Sequence, residues 1–189
     1  EEIEFRQATV RLMALAMIVI YALMAVAFRS YWQPLLILTA VPFGLMGAIF
    51  GHMILGWQVS MFSIMGVTAC AGVVVNDNLV LIDRINRLRE EGMELVTALL
   101  QAGEDRFRPI ILTSLTTFVG LLPIMSETSV QAQFLIPMVT SLSFGVLFAT
   151  GVTLVLVPAL YLIAEDARLL RARWFGGKDE SSAFSTPAS

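Results

Sequence analysis

Charge is scarce in this sequence: 14% of its 189 residues are Asp, Glu, Lys or Arg, against 57% hydrophobic. A soluble domain needs a polar coat around its core, and so few polar positions cannot supply one. Cysteine occurs once, as Cys70, which excludes an internal disulfide and a multi-cysteine zinc site. Histidine also occurs once, as His52, and a lone imidazole without carboxylate or thiolate neighbours makes no metal site. The spans offer no nucleophile and base at useful spacing, which argues against an intramembrane enzyme. The start Glu1-Glu2-Ile3-Glu4 lacks a methionine and a basic stretch ahead of the first apolar run. It therefore does not resemble a signal peptide and reads as a piece of something longer. The net charge of -3 says little about partners.

What is abundant is long apolar sequence, with a mean hydropathy of +0.80. A helix needs about 20 apolar residues to cross the hydrocarbon of a bilayer. Five stretches approach that length, at 12–28, 34–56, 61–83, 109–125 and 135–163, so the fold class is an all-α integral membrane bundle of five transmembrane helices. Ten of the twelve basic residues follow span one (Arg29), separate spans three and four (Arg84 to Arg108), or follow span five (Arg168 to Lys178). The loops at 56–60 and 126–133 have none. The positive-inside rule makes the arginine-rich side cytoplasmic, with the N-terminus outside and the C-terminus in the cytoplasm. Arg6 and Arg11 are the exceptions, with Glu1, Glu2 and Glu4 beside them.

Residues 1–11 precede the bundle, which is assigned 12–165. Within the cytoplasmic connection near 84–106, Leu95, Val96, Leu99 and Leu100 fall at helical spacing between Gly92 and Gly103. That pattern predicts a short amphipathic helix, on the membrane or on the bundle, serving as a plain connector. The segment 166–189 forms a cytoplasmic tail; from Trp174 onward it has no periodicity and is expected to be disordered. Small residues mark close helix packing: Gly47 and Gly51 form a G-x-x-x-G pair in span two, and Gly66, Ala69, Cys70, Ala71 and Gly72 cluster in span three. Cys70 reads as a packing residue, and the ten methionines read as gap fillers or lipid-facing side chains.

One polar island interrupts this pattern. Asn76, Asp77 and Asn78 lie inside the apolar run from Phe62 to Ile82. Asp77 falls about 22 Å along the helix from Phe62, in the inner half of the membrane. Keeping a carboxylate charged there costs at least ~2.5 kcal/mol unless a partner or water compensates. Successive helical residues point about 100° apart, so the three cannot share one groove. Asp77 therefore needs a partner from another helix. Span four offers Thr113, Ser114, Thr116 and Thr117, with Thr113 and Thr117 stacked at i,i+4. These hydroxyls either reach across to span three or bond their own helix backbone. Arg106 and Arg108 can reach inward or snorkel, and Asp83 is placed to pair with Arg87. Protonation would lift the burial penalty of Asp77 and change the preferred helix packing, the minimum physics for coupling a proton gradient to a conformational change. A structural buried carboxylate and an ion-pathway lining are the other two readings.

Several segments together resemble the resistance-nodulation-division (RND) efflux permeases, hydrophobe and drug exporter branch. They are Phe28-Arg29-Ser30-Tyr31 through Pro34-Leu35, Ala40-Val41-Pro42-Phe43-Gly44, Gly72-Val73-Val74-Val75-Asn76-Asp77, Arg106-Phe107-Arg108-Pro109-Ile110, Gly120-Leu121-Leu122-Pro123 and Val157-Pro158-Ala159. The resemblance spans about residues 8–165. It implies the C-terminal membrane portion, the last five helices of a twelve-helix permease, with residues 1–11 ending a periplasmic region. It further implies an inner-membrane homotrimer that exports drugs or other hydrophobic compounds by proton antiport. The expected partners are the rest of the permease, a periplasmic adaptor, an outer-membrane channel and the lipid bilayer. No nucleic acid, metal, cofactor or enzymatic activity is expected. Thr113 matches a relay threonine of the family and Arg106 a relay arginine. The family's relay lysine is replaced by Asn76, with Asp77 next to it, so the proton-relay candidates are Asp77, Asn76, Thr113 and Arg106. The alternative is a truncated membrane module that transports nothing and only packs against other subunits.

Overall fold

The computed structural model describes residues 2–175. The described elements are all helices, and five spans are long and apolar enough to cross a membrane. The first span, α1 (Glu2–Phe28), begins well before residue 12, so residues 2–11 extend this helix. It stops at Arg29, whose φ of +50° puts a non-glycine residue in the left-handed region. The second span is two helices, α2 (Trp32–Leu38) and α3 (Val41–Leu55), separated at Thr39 and Ala40. Pro42 explains the break, because it has no N–H to offer the carbonyl of Leu38. The Thr39 hydroxyl donates to the Leu36 carbonyl at 2.6 Å and satisfies part of the interrupted ladder.

Helix α4 (Met61–Glu90) starts in a capping box between Ser60 and Ser63 and carries Arg87 and Arg89 in its last turn, where positive charge suits the helix dipole. Its Asp83 pairs with Arg87 at 2.9 Å, as the i,i+4 spacing predicts. Beyond it the chain differs from the expected connector. Helix α5 (Leu95–Met125) runs unbroken through Gly103 and Pro109, so Leu95 to Leu100 form its first turns and no separate connector helix exists there. Glycine inside a helix costs about 1 kcal/mol. Burial of Ala98, Leu99 and Ala102 in one core cluster with Ile85 and Leu88 of α4 offsets that cost. After the short α6 (Val130–Gln133), α7 (Ile136–Phe175) continues well past residue 163. Part of the expected tail is thus helical; the remainder, from Gly176, lies outside the described residues.

Helix α7 packs along α3, α4 and α5 and forms the centre of the bundle. Small residues allow this closeness. A β-carbon at Gly47 would lie 2.6 Å from the Phe144 carbonyl oxygen, and one at Gly51 2.6 Å from the Phe144 side chain. At Gly66 a β-carbon would run into the Met138 carbonyl, so α4 rests directly on the backbone of α7. Cys70 sits where three helices meet. Its sulfur lies 3.0 Å from a β-carbon built on Gly44 of α3 and 2.7 Å from one built on Gly145 of α7. Aromatic rings close the sides, Phe118 meeting Phe144 edge-on with centroids 5.3 Å apart. By contrast, α1 and α5 lie at the periphery and expose broad apolar faces.

Candidate functional site

Burial sorts the polar island by face. On α4, Val74, Val75, Asn78, Leu81 and Ile82 turn inward, Asn76 is exposed and Asp77 is half-buried between them. This is the angular separation expected of consecutive helical residues. Gly72, one turn before Asn76, meets nothing within 4 Å, so the Gly72–Asn76 face is open among the described residues.

The Asp77 carboxylate does not find the partner that its burial demands. Its Oδ2 is sealed from solvent yet has no hydrogen-bond partner among the described residues. The Nδ2 of buried Asn78 is in the same state. Arg106 makes no ion pair with Asp77; its Nε is also buried without a hydrogen-bond partner. Its neighbour Asp105 is engaged instead by Arg84 at 2.6 Å, which ties α5 to α4. An uncompensated buried polar atom costs about 1–3 kcal/mol, more for a charged group, so each of these atoms marks a place where the fold tolerates expense.

The hydroxyl stripe on α5 resolves in favour of the helix backbone. Thr113 donates to the Pro109 carbonyl at 2.9 Å, Thr117 to the Thr113 carbonyl at 2.8 Å, and Thr116 to the Leu112 carbonyl at 2.7 Å. Thr113 is exposed, and none of these three hydroxyls makes a hydrogen bond to α4. These are the i to i−4 back-bonds that Ser and Thr hydroxyls make inside helices, where the carbonyl one turn earlier is always within reach. Ser114 is the inward hydroxyl of the group, sharing a 2.7 Å hydrogen bond with Thr150 of α7.

Two further polar features escape a reading of the sequence. Helix α7 buries Thr140, Ser141 and Ser143, whose hydroxyl oxygens lack hydrogen-bond partners among the described residues, and also Thr150 and Thr153. Their density in α7 was the available signal. At the end of the bundle away from the arginines, buried His52 faces the Ala48 carbonyl through Nδ1 at 2.9 Å and the Ser63 hydroxyl through Nε2 at 2.8 Å. A carbonyl can only accept, so Nδ1 carries the proton, and in the neutral ring Nε2 accepts from Ser63. His52 thereby joins α3 to the first turn of α4. Among the described residues no three His, Cys, Asp or Glu side chains gather to hold a metal ion.

Residues 1–165 match the family described as AcrB/AcrD/AcrF. Two curated relatives are each 33% identical over 87% of this chain: the cobalt-zinc-cadmium resistance protein CzcA of Cupriavidus metallidurans and the cation efflux system protein CzcA of an Alcaligenes species. The matched stretch covers 16% of the length of each relative.

Proposed function

This chain belongs to the AcrB/AcrD/AcrF family of RND permeases, and on that footing we propose that it supplies part of the membrane domain of a proton-driven exporter, with Asp77 as the proton-carrying group. The observation that carries this reading is the sealed and unpartnered Oδ2 of Asp77 in the middle of a membrane-length helix. An unpartnered carboxylate oxygen in that position favours any rearrangement that brings a hydrogen-bond donor, a cation or water to it. A proton arriving and leaving thus biases the bundle between two packings. Asn78, next in sequence but turned to the inward face, also has an unsatisfied amide that can bond water in either state. In this proposal Arg106 and Thr113 are secondary: Arg106 carries an unengaged Nε near the arginine-rich end, and Thr113 becomes part of a relay only if its bond to Pro109 is exchanged. Asn76 faces the open side, where the rest of the permease would pack.

The arginine-rich end is assigned to the cytoplasm, and assembly as an inner-membrane trimer with a periplasmic adaptor and an outer-membrane channel follows from the same family reading. Two substrate classes are in play. Hydrophobic compounds follow from the sequence resemblance, whereas the names of both relatives favour metal cations. In either case we assign selection of the substrate to parts of the permease outside this chain.

The test is Asp77→Asn in the intact permease, scored for resistance to cobalt, zinc and cadmium and to a panel of hydrophobic dyes. Loss of whichever resistance the unmodified protein confers, at unchanged membrane abundance, is the expected result. Unchanged resistance removes Asp77 from the mechanism. Unmodified protein that confers no resistance and moves no protons in vesicles would instead favour the packing module.

A further inference from the structure

A cavity of about 700 Å³ opens at the arginine-rich end of the bundle, where the α1–α2 link faces the last turns of α4 and the distal part of α7. Its volume lies within the usual range for a small-molecule site. The back wall is polar and held in place. Gln33 and Asn86 exchange amide hydrogen bonds at 2.9 and 3.0 Å, and the Tyr161 hydroxyl donates to Asn86 at 3.0 Å. Among the described residues the charged side chains that line the space are Arg29, Arg89 and Glu165. Arg89 and Glu165 approach only to 3.9 Å, the outer limit of an ion pair, so Glu165 orients the guanidinium without occupying its fork. Phe28 and Leu36 add apolar lining, and the rings of Tyr31 and Trp32, 83% and 54% exposed, stand at the mouth.

Arg29 adds an independent sign of function. Its left-handed backbone is unfavourable for an L-residue, and glycine or asparagine would ordinarily end a helix there. An observed strained residue whose side chain lines a cavity points to a use for that side chain. Arginine at this position supplies a planar fork suited to phosphate oxygens.

We propose that this cavity binds one phospholipid, with its phosphodiester held between Arg29 and Arg89 and its acyl chains lying beside Trp32. Two guanidinium groups lining one cavity suit a phosphodiester anion. The place suits a lipid, since the site lies where apolar spans end and arginines begin, the level at which headgroups lie and at which Tyr and Trp rings favour the interface. Free phosphate shares the recognised group but has no use for the aromatic rim.

Native mass spectrometry of the intact protein tests this. Unmodified protein in micelles is offered phosphatidylglycerol or a glucosyl diacylglycerol with identical chains. One phosphatidylglycerol per chain is expected to remain bound, with no glycolipid retained and no displacement by excess inorganic phosphate. Arg29→Asn combined with Arg89→Gln is expected to lower occupancy about tenfold, the loss of charge-assisted contacts. Arg87→Gln removes a guanidinium that pairs with Asp83 and does not line the cavity, and it leaves occupancy unchanged. Asparagine tolerates the left-handed backbone, so the double variant retains its fold at that position. Should it fail to fold regardless, the comparison of the two lipids on unmodified protein decides alone. Equal retention of the glycolipid, unchanged occupancy in a folded double variant, or displacement by inorganic phosphate would each overturn the proposal.

Discussion

The hydroxyls of Ser114 and Thr150 meet 2.7 Å apart in a buried contact between α5 and α7, one residue away from a threonine that bonds only to its own helix. Interhelical hydrogen bonds of this kind average about 0.6 kcal/mol in membranes and reach about 1.7. A double-mutant cycle of Ser114→Ala and Thr150→Ala is expected to give a coupling within that range. Thr113→Ala, as a control, should change stability by less than about 0.5 kcal/mol. Steric-trapping measurements of unfolding in micelles read both values.

Gly66 and Gly72 separate packing from propensity. Gly66→Ala places a methyl group against the Met138 carbonyl, where only backbone movement makes room, and should destabilise the bundle by about 1–3 kcal/mol. Gly72→Ala meets nothing and should be neutral or stabilising by up to about 1 kcal/mol through helix propensity. Thermal unfolding of the two variants in one detergent gives the comparison, and equal effects would contradict the contact.

Cys70 has no exposed surface. Its thiol should resist a maleimide in the folded bundle and react fully once sodium dodecyl sulfate has unfolded it. Labelling followed by gel shift measures the protection. Cys70→Leu should fail to accumulate in the membrane, because the sulfur already touches the positions of Gly44 and Gly145.

Ser63 caps α4 and holds His52. Ser63→Ala removes the acceptor of the Ser60 N–H and the partner of the His52 Nε2 together. A loss of about 1–3 kcal/mol is expected, since a buried ring nitrogen is left unsatisfied. Ser63→Thr keeps the hydroxyl and should retain most of the stability in the same unfolding assay.

The five spans were legible because apolar runs of membrane length have few other uses, and the arginines that gather at one end of the bundle were legible from their positions alone. The Asp83–Arg87 pair and the role of Cys70 also followed from local spacing and burial tendency. What was not legible depends on which neighbour a helix face meets. Gly103 looked like a terminator, but contact between α5 and α4 carries the helix through it. The Thr113–Thr117 stripe had two possible sets of acceptors, and the outward turn of Thr113 left its hydroxyl only the carbonyl of its own helix. His52 appeared inert as a ligand, and its link to Ser63 needs two helices to be placed side by side. For Asp77 the sequence indicated the burial and the need for a partner, and the described residues leave that need unmet.

Helix α4 contains no proline from Met61 to Glu90, whereas α5 and α7 contain prolines in their interiors. Its closest seat on α7 is Gly66, near one end. At about 1.5 Å per residue, Asp77 stands roughly 16 Å from that seat and Arg89 roughly 35 Å. Between Asp77 and Arg89 the side chains of Ile82, Ile85 and Leu88 lie in one core with Val157 of α7, so the unbroken helix is a continuous strut that joins the polar island to the cavity that Arg89 lines.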